Sequence, residues 1–508
     1  MKYRPLMILG SGSDVGKSIM VAGLCRLFFQ EGVRVAPFKA QNMALNSYIT
    51  PQGGEMGRAQ VVQAQAAGLS PHVDMNPILL KPSSDVGSQV IVHGKVYGNF
   101  AAQDYYRHKP KLLRKVMASY RRLAQTYELI VLEGAGSAVE LNLKKNDLVN
   151  FNMAKKAGAA VILVADIDRG GVFAATIGSF KLLTPRERQL LSGFIINKFR
   201  GDPGLFAEGL KIIEGRTRRP VLGVVPYVPD LVLPEEDSVP LGRKKSGKAA
   251  AAARGLTVGV VRLPHIANYT DFDPLEHEPG VSLRYLDHRH PWPELDLLIL
   301  PGTKNTISYL LFLKQTGLFP QIQAYARGGG LLVGICGGYQ LLGLEVRDPL
   351  GVEGAPRTES GLGLLPVVTT MAGVKTTTQV LARGAGVGAD QGPLEAYEIH
   401  MGLSEPRGPG APAFEIVSRN RQAVQVADGW VSPDRQIWGT YLHGLFDNDG
   451  FRQAFLQKLR QRRRGAPQGS SPWSFRAFQE AQLDRLADLL RRHLDLGRLW
   501  ALIQNQKG

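Results

Sequence analysis

Short apolar runs alternate with stretches of helical periodicity in the N-terminal part of the chain. The first run covers residues 6–9, and a Gly/Ser-rich loop separates it from apolar residues that recur at the spacing of one helix face: Met20, Leu24, Leu27 and Phe28. This alternation is typical of a parallel sheet covered by helices. Cys25, in the same predicted helix, is expected to pack in the core. Further strands are predicted at residues 129–132, 160–164 and 193–196.

The alternation stops between residues 226 and 255 and then resumes. The interrupted stretch holds prolines, an acidic cluster, a basic cluster and a run of alanines, which is the composition of a domain connection. New strands are predicted at 256–261, 297–300 and 331–333, and a last amphipathic helix begins near Phe475. We therefore predict an α/β protein with a doubly wound parallel sheet at 1–228, a linker at 229–255, a second α/β domain at 256–450 and a helical tail at 451–508.

Length and composition agree with this organisation. A chain of 508 residues exceeds the usual single-domain size, which favours two domains. Cys25 and Cys336 are its two cysteines, so a disulfide framework is excluded and a reducing compartment is expected. Neither a secretory signal nor a membrane-spanning run is recognisable, and we predict a cytoplasmic protein without membrane contact.

The formal net charge is +17, from 61 basic and 44 acidic residues. Such a balance permits binding to nucleic acid, to an anionic surface or to an acidic small molecule. Much of the excess lies at 243–248 and 460–464, in stretches that are predicted to be solvated. Because no base-stacking module is recognisable, no nucleic-acid partner is predicted.

The heptapeptide at 334–340, Gly-Ile-Cys-Gly-Gly-Tyr-Gln, follows the apolar run 331–333. An apolar strand that ends on a glycine-flanked nucleophile and then enters a helix is typical of a nucleophile elbow. The glycines keep side chains away from the strained turn, and the start of a helix favours a thiolate at Cys336. The alternative is a buried structural cysteine beside a glycine turn.

His443 follows a predicted strand at 437–440 and is the preferred base among ten histidines. A thiolate that attacks a carbonyl group also needs donors for the oxyanion. Backbone N–H groups at Gly337 and in the loop around Gly302 are the candidates. In isolation, His443 could equally be a hydrogen-bonded loop residue, but the elbow favours the catalytic interpretation.

A second glycine-rich loop lies between the first predicted strand and the first predicted helix. This is the context of a phosphate-binding loop, in which a lysine reaches the terminal phosphates and a hydroxyl coordinates Mg²⁺. The standard pattern has glycine where Ser11 stands, and here the glycine comes one position earlier. The alternative is a chance glycine turn. The residues assigned to ATP are Gly10, Ser11, Gly12, Ser13, Gly16, Lys17 and Ser18.

Magnesium prefers carboxylates and other oxygen ligands. Glu133 follows a predicted strand and is therefore expected at the same sheet edge as the glycine-rich loop. Ser18 and Glu133 are the predicted metal ligands. Asp147 and Asp166 are further carboxylates of this edge, and each could equally cap a helix.

The second domain resembles the class I glutamine amidotransferases. The resemblance rests on the elbow at 334–340, on Pro-Gly-Thr-Lys at 301–304 and on Tyr-Leu-His-Gly at 441–444. It implies hydrolysis of glutamine, with these residues in the site: Cys336 and His443 for catalysis, and Gly302, Gly337 and Gln340 for glutamine or the oxyanion.

Most members of that family carry a glutamate two residues after the histidine, but Leu445 occupies this place here. The cobalamin-biosynthesis branch shares the departure. Glu398, in Tyr-Glu-Ile-His-Met-Gly at 397–402, resembles another element of that branch and is not assigned as a third catalytic residue. The group that orients His443 is left open.

The first domain resembles the dethiobiotin synthetase type of P-loop enzyme through its shifted loop and Glu-Gly-Ala-Gly at 133–136. Three further motifs extend the resemblance to the cobyric acid synthase family over about residues 5–450: residues 37–43 with Asn46 and Ser47, residues 76–82, and residues 166–173. The resemblance implies contacts to substrate, or support of the site, for these residues: Lys39, Gln41, Asn42, Lys81, Asp147, Asp166 and Arg169.

The resemblance implies ATP-dependent amidation of the b, d, e and g carboxylates of adenosylcobyrinic acid a,c-diamide, which gives adenosylcobyric acid. Phosphorylation of each carboxylate and ammonia from glutamine are the implied steps. ATP and Mg²⁺ are the expected cofactors, and a corrinoid, glutamine and ATP are the expected partners, with a homo-oligomer left open. The cobalt belongs to the substrate, so no protein-bound cobalt is expected.

Two alternatives stay open. One is another glutamine-dependent amidotransferase of the same layout, such as cobyrinic acid a,c-diamide synthase or a cell-wall amidating enzyme. The other is a ParA-like P-loop ATPase with an inactive amidotransferase domain, which the positive charge permits and the pair of Cys336 and His443 disfavours.

Overall fold

The computed structural model describes residues 1–82, 87–144, 147–234, 255–388, 392–463 and 473–504. Most of the predicted linker, residues 235–254, lies outside this range, as do the basic residues 243–248 and Arg464. The helices are α1 (Lys17–Gln30), α2 (Arg58–Ala66), α3 (Ala102–Thr126), α4 (Phe151–Ala157), α5 (Val172–Leu182), α6 (Pro185–Leu190), α7 (Ala207–Thr217), α8 (Asp273–His277), α9 (Thr306–Thr316), α10 (Leu318–Arg327), α11 (Gly337–Leu342), α12 (Asp449–Arg462), α13 (Phe475–His493) and α14 (Leu496–Ile503). The strands are β1 (Leu6–Gly10), β2 (Val35–Phe38), β3 (Gln41–Met43), β4 (Ser47–Ile49), β5 (Glu55–Gly57), β6 (Ile78–Pro82), β7 (Gly87–Val92), β8 (Lys95–Ala101), β9 (Leu129–Glu133), β10 (Ala160–Asp166), β11 (Leu191–Phe199), β12 (Val221–Pro226), β13 (Leu256–Val261), β14 (Val281–Leu286), β15 (Leu297–Leu300), β16 (Leu332–Ile335), β17 (Glu345–Asp348), β18 (Arg357–Ser360), β19 (Val367–Gly384), β20 (Leu394–Pro406), β21 (Phe414–Arg419), β22 (Gln422–Asp428), β23 (Trp430–Val431), β24 (Ile437–Thr440) and β25 (Leu442–His443).

The chain divides into two compact units, and each unit is discontinuous in sequence. The first contains Met1–Ala44, Met56–Pro234 and Gln479–Gly508, and the second contains Leu45–Glu55 and Glu235–Phe478. A short segment from the N-terminal part of the chain is therefore a member of the second unit, and the C-terminal end of the chain belongs to the first. Because both units are discontinuous, a single boundary along the chain cannot separate them.

A six-stranded parallel sheet forms the middle of the first unit, in the order β12-β11-β10-β1-β9-β2. The inner strands β1, β9 and β10 are buried along their whole length, which is why they are continuous apolar runs in the sequence. All four strands predicted in this part of the chain lie in the sheet. The predicted doubly wound α/β class is confirmed, and the carboxyl ends of β1 and β9 bring the glycine-rich loop and Glu133 to one edge.

A smaller mixed sheet, in the order β3-β6-β7-β8, belongs to the same unit. It carries three of the predicted substrate candidates, with Gln41 and Asn42 in β3 and Lys81 in β6. These side chains are therefore placed by a sheet of their own rather than by the central parallel sheet.

The amphipathic C-terminal helix packs into the core of the first unit. Leu483, Leu486 and Leu490 of α13 are buried in one apolar cluster with Leu24 and Cys25 of α1. The tail therefore has a structural role in this unit. Among the described helices, none has both the length and the apolar character that crossing a membrane requires.

We expect Leu490→Ala to lower the free energy of unfolding of the first unit by about 2–5 kcal/mol, because a fully buried leucine would leave a cavity between α13 and α1. Hydrogen exchange of the α1 and α13 amides across a urea series measures the change. Arg492→Ala, at an exposed position of the same helix, should alter this free energy by less than about 0.5 kcal/mol. Equal effects of the two variants would contradict a core role for α13.

A second six-stranded sheet, in the order β14-β13-β15-β16-β24-β23, forms the core of the second unit. Its strands are parallel except for β23, which pairs with β24 in the antiparallel direction. The predicted strands of this part of the chain become β13, β15 and, with small shifts at its ends, β16. A further, mixed sheet contains β17 to β22 and β25, and β25 places His443 opposite Tyr397 of β20.

Candidate functional site

Cys336 lies at the turn between β16 and α11 of the second unit. Its φ of 52° and ψ of −111° are rare for a residue with a side chain, as expected for a strained nucleophile elbow. Two backbone hydrogen bonds hold the turn, from Cys336 N to Thr440 O at 2.8 Å and from Gln340 N to Cys336 O at 3.2 Å. The thiol donates to Ile399 O at 3.4 Å. The turn thus presents a nucleophile on a rigid scaffold.

The loop predicted to supply oxyanion donors lies against this elbow. A Cβ atom at Gly337 would collide with the side chain of Thr303 and come within 2.9 Å of Thr303 N, so only glycine fits there. A Cβ atom at Gly302 would lie 3.4 Å from His443 Cε1. The elbow, the 301–304 loop and the predicted base therefore meet in one place within the second unit.

His443 is held by Asp271, a residue that no sequence motif marks. The ring Nδ1 lies 2.6 Å from Asp271 Oδ2, and Gly444 N donates to Asp271 Oδ1 at 3.0 Å. Tyr397 stacks on the imidazole with 5.2 Å between ring centroids and 18° between planes. The other ring nitrogen, Nε2, is buried and makes no hydrogen bond within the described part of the chain, so it is the nitrogen available to Cys336.

Electrostatics favour the imidazolium form of His443. Burial by itself lowers the pKa of His443, but the Asp271 carboxylate and Cys336 outweigh burial and raise this pKa to about 10. A cysteine, a histidine and an orienting carboxylate form the arrangement that activates a thiol nucleophile. In such an arrangement the thiolate can attack a carboxamide carbon, and the imidazolium can give a proton to the departing nitrogen.

Two other residues singled out in this domain have different partners. Gln340 is buried in α11, where Thr306 Oγ1 donates to its Oε1 at 2.5 Å and its Nε2 donates to Tyr441 OH at 3.2 Å. Both polar atoms of this side chain are hydrogen-bonded inside the second unit, and its assignment to glutamine or the oxyanion stays a prediction. Glu398 accepts hydrogen bonds from Arg419 at 2.8 and 2.9 Å, whereas the carboxylate in contact with His443 is that of Asp271.

The glycine-rich loop joins β1 to α1 in the first unit. Lys17 Nζ donates to Gly12 O and to Gly136 O, both at 2.9 Å. A Cβ atom at Gly10 would lie 2.8 Å from both Gly12 O and Lys17 Nζ, which accounts for a glycine one position earlier than in the standard pattern. The predicted set lies in this loop and the first turn of α1: Gly10, Ser11, Gly12, Ser13, Gly16, Lys17 and Ser18.

Glu133 ends β9 and is the centre of a buried polar cluster. Its Oε1 accepts from Ser18 Oγ at 2.7 Å and from Lys39 Nζ at 2.9 Å. Its Oε2 accepts from Gln63 Nε2 at 2.6 Å and from Gln60 Nε2 at 3.4 Å. Burial raises the pKa of Glu133, but Lys39 and the hydrogen bonds of Gln63 and Ser18 outweigh burial and lower it. Glu133 is therefore ionised, and Lys39 forms a buried ion pair rather than a surface one.

The remaining charged candidates, Asp147, Asp166 and Arg169, each make a different kind of contact. Asp147 accepts from three backbone N–H groups around the start of α4, which is the capping role foreseen as its alternative. Asp166 accepts from Lys198 Nζ at 2.9 Å. Arg169 donates to Asp14 Oδ2 of the glycine-rich loop at 3.2 Å. Asp166 and Arg169 thus support the loop region from β10 and the turn after it.

The three candidates of the smaller sheet have different surroundings. Asn42 Nδ2 donates to Gln60 Oε1 at 2.8 Å and so belongs to the Glu133 cluster. Gln41 Oε1 accepts from Tyr105 OH at 2.5 Å. Lys81 is buried in β6.

A cavity of about 480 Å³ opens beside the loop that follows Glu133. Its wall includes the predicted residues Gln41 and Asp147, and Gly136, whose carbonyl accepts from Lys17. Lys109 also lines it, and burial lowers the pKa of this lysine although Asp147 opposes the effect. The volume is typical of a small-molecule site. Apolar parts of the wall come from Met43, Leu80, Val90, Phe100 and Leu143.

Ser18 Oγ and the Glu133 carboxylate are the predicted magnesium ligands, and they are in direct contact. Among the residues that the structure describes, no group of three His, Cys, Asp or Glu side chains could hold a metal ion. Two protein oxygens suit Mg²⁺ that takes its other ligands from phosphates and water. The donor set therefore fits a nucleotide-bound magnesium ion rather than an independent metal centre.

Asp271, Gln60 and Gln63 are site residues that the sequence reasoning misses. Asp271 lies ten positions beyond the predicted strand 256–261, whereas Glu133 directly follows its strand, so the criterion that selects Glu133 does not select Asp271. Gln60 and Gln63 lie three positions apart and share one face of α2, but neither residue type marks a particular chemistry.

Comparisons with known proteins describe both parts of the chain. Residues 6–241 match the family model of the CobQ/CobB/MinD/ParA nucleotide binding domain. Residues 257–451 match the model of the CobB/CobQ-like glutamine amidotransferase domain. A crystal structure of a glutamine amidotransferase covers 40% of this chain and 97% of its own, at 17% identity and a TM-score of 0.30.

Similar proteins match the chain from end to end. The cobyric acid synthase of Syntrophobacter fumaroxidans is 55% identical over 99% of this chain and 99% of its own. The cobyric acid synthase of Moorella thermoacetica is 49% identical over 98% of this chain and 97% of its own. With identity of this extent, the chain belongs to the cobyric acid synthase family of glutamine-dependent amidotransferases.

Proposed function

We propose that this protein makes adenosylcobyric acid by ATP- and glutamine-dependent amidation of the b, d, e and g carboxylates of adenosylcobyrinic acid a,c-diamide. Membership of the cobyric acid synthase family supports the class of product and the use of a glutamine amidotransferase domain. The observation that carries the proposal is the contact of His443 with Asp271 beside the Cys336 elbow. A P-loop ATPase with an inactive amidotransferase domain would not need this arrangement.

Ammonia is proposed to form in the second unit. The Cys336 thiolate attacks the carboxamide carbon of glutamine, and His443 gives a proton to the nitrogen as ammonia leaves. Water then hydrolyses the glutamyl thioester to glutamate and restores the thiol. The position of Gly302 and Gly337 next to the reacting groups supports their backbone N–H groups as oxyanion donors.

The acceptor carboxylate is proposed to be activated in the first unit. A carboxylate oxygen attacks the γ-phosphorus of ATP, and ADP leaves. Ammonia adds to the resulting acyl phosphate, and phosphate and a proton leave as the amide forms. Lys17 would stabilise charge on the transferred group. Mg²⁺, held through Ser18 and Glu133, would neutralise phosphate charge.

The cavity beside Gly136 is proposed to hold part of the acceptor. Gly136 accepts from Lys17, so the cavity adjoins the lysine that is assigned to the phosphates. Its apolar wall suits the hydrocarbon edge of a large macrocycle, and Lys109 offers a cation to a peripheral carboxylate. A volume of about 480 Å³ would accommodate one edge of the corrinoid.

Mass spectrometry tests the proposed reaction. We expect the a,c-diamide, ATP, Mg²⁺ and glutamine to give four successive acid-to-amide changes with the purified protein. Omission of ATP should prevent all four. No change with folded protein would contradict the proposal, and amidation of cobyrinic acid at positions a and c alone would favour the diamide synthase alternative.

Asp271→Asn tests the proposed orientation of His443. We expect kcat for glutamine hydrolysis to fall roughly 10²–10⁴-fold, because the neutral amide no longer stabilises the imidazolium. Loss of the Asp271 carboxylate lowers the pKa of His443 relative to the wild type, so the alkaline limb of the kcat profile should shift to lower pH. Asp273→Asn, two residues further at the start of α8, is the matched control. An unshifted limb in Asp271→Asn would argue against this role.

A further inference from the structure

The segment Leu45–Glu55 belongs to the second unit, although the residues on either side of it belong to the first. It contains Asn46 and Ser47, a sequence motif to which the proposed reaction assigns no role. We propose that Asn46 and Ser47 are positioning residues for glutamine hydrolysis, because they hold the turn that presents Asp271 to His443. The proposal rests on the glutamine half of the proposed function.

Two hydrogen bonds connect the segment to that turn. Ser47 N donates to Asn268 Oδ1 at 3.0 Å, and Thr270 Oγ1 donates to Asn46 Oδ1 at 3.3 Å. Asn268 is in the left-handed conformation, with φ 52° and ψ 44°, directly before the 3-10 turn that contains Asp271. Each of the four bonded residues is at most 3% exposed. Water therefore cannot readily replace these bonds, and the turn depends on the segment.

The same segment also supports the stacked face of the catalytic histidine. Tyr48 packs on Tyr397 with 5.1 Å between ring centroids, and Tyr397 stacks on His443. Tyr397 OH also donates to Ser47 O at 3.5 Å. The imidazole is thus fixed through Asp271 at Nδ1 and through Tyr397 on its face. Consecutive residues of one segment contact Tyr397 directly and bond to the turn that carries Asp271.

The segment is itself anchored inside the second unit. Glu55 forms a buried ion pair with Lys375 of β19 at 2.6 Å, and Ser47 Oγ donates to Glu55 Oε1 at 2.9 Å. Gln379 of the same strand donates through Nε2 to Ile49 O. Breaking a buried ion pair by removing one partner is costly, so these contacts favour a single conformation of the segment.

The first experiment compares Thr270→Val with Thr270→Ser in the full-length protein. Valine has the shape of threonine without the hydroxyl, whereas serine keeps the bond to Asn46. We expect kcat for glutamine hydrolysis to fall roughly 10-fold in Thr270→Val, with KM within about two-fold, and to stay near the wild-type value in Thr270→Ser. Thr316→Val removes a hydroxyl that bonds within α9 and is the matched control.

The pH profile separates positioning from a general loss of folded protein. Within the described part of the chain, the titratable groups found against the His443 ring are Asp271 at Nδ1, Cys336 and the stacked phenol of Tyr397. A displaced Asp271 supports the imidazolium less, so the alkaline limb of kcat should move to lower pH in Thr270→Val. A reduced kcat with an unshifted limb overturns the proposal.

Asn46→Ala provides an independent variant. If Asn46 and Thr270 act through one bond, the double variant Asn46→Ala/Thr270→Val should lose no more activity than either single variant. Additive losses, or wild-type kcat in Thr270→Val, overturn the proposal. Absence of glutamine hydrolysis in the wild-type protein would instead contradict the proposed function, so the two failures are distinguishable.

Discussion

Glutamine-dependent amidation is expected to fall by at least about 1,000-fold when Cys336 is replaced by alanine, while ammonium-dependent amidation continues. The variant lacks the thiol that is proposed to form the thioester, so we expect glutamine to yield no ammonia. The first unit keeps its loop, Glu133 and cavity, and ammonia added as an ammonium salt should still attack the proposed acyl phosphate. Parallel assays with glutamine and with ammonium chloride measure the two activities in the same preparation.

Cys25→Ala is the matched control for this substitution. Cys25 is fully buried in α1 and belongs to the apolar cluster of the first unit, so its replacement should leave the ratio of the two activities unchanged. Equal loss of both activities in Cys336→Ala would contradict the proposal that ammonia forms in the second unit and amidation takes place in the first. Retention of glutamine-dependent amidation would remove Cys336 from the mechanism.

The parallel sheets are predictable from sequence because their strands are buried on both faces. Residues 6–9 and 297–300 are continuous apolar runs, and each becomes a fully buried strand. The mixed sheet of the second unit is not predictable from apolar runs. Its longest strand, β19, is exposed at several positions and mixes threonines with charged residues, so no continuous apolar run marks it.

Some parts of the candidate site are predictable from sequence and others are not. The elbow and the glycine-rich loop are local motifs, in which glycine spacing and the reactive side chain lie within a few positions. Asp271 is 172 positions from His443, and Ser47 is 221 positions from Asn268, so no local pattern reveals either contact. Leu445 was the informative departure, because it left the orienting group of His443 to another part of the chain.

Long-range contacts also explain why the sequence does not predict the unit to which Leu45–Glu55 or the C-terminal end of the chain belongs. Leu45–Glu55 follows a strand of the first unit directly in sequence, yet its buried polar contacts are with the second. Asn46 accepts a hydrogen bond from Thr270 and Ser47 donates one to Asn268, and polar contacts of this kind leave no periodicity in the sequence. The amphipathic face of α13, in contrast, predicts burial correctly but does not name the surface that it covers.

Lys17→Ala is expected to reduce ATP-dependent amidation by about 10²–10³-fold with either nitrogen source. Lys17 Nζ is held by Gly12 O and Gly136 O beside the cavity. The charge that it is proposed to bring to the γ-phosphoryl group would be lost from both glutamine-driven and ammonium-driven turnover. Glutamine hydrolysis is assigned to the second unit and should persist. ADP release and amide formation, measured together with glutamate release, separate the two effects.

Lys181→Ala, at an exposed position of α5, is the matched control and should retain all three activities. Unchanged amidation in Lys17→Ala would contradict the phosphate role of the glycine-rich loop. A Lys17→Ala protein that unfolds thermally like the wild type could lose glutamate release as well as amidation. Lys17 would then also affect the Cys336 reaction, which would contradict the proposed assignment of the two reactions to separate units. Retained glutamate release with lost amide formation is the outcome that the arrangement around Glu133 and Lys17 requires.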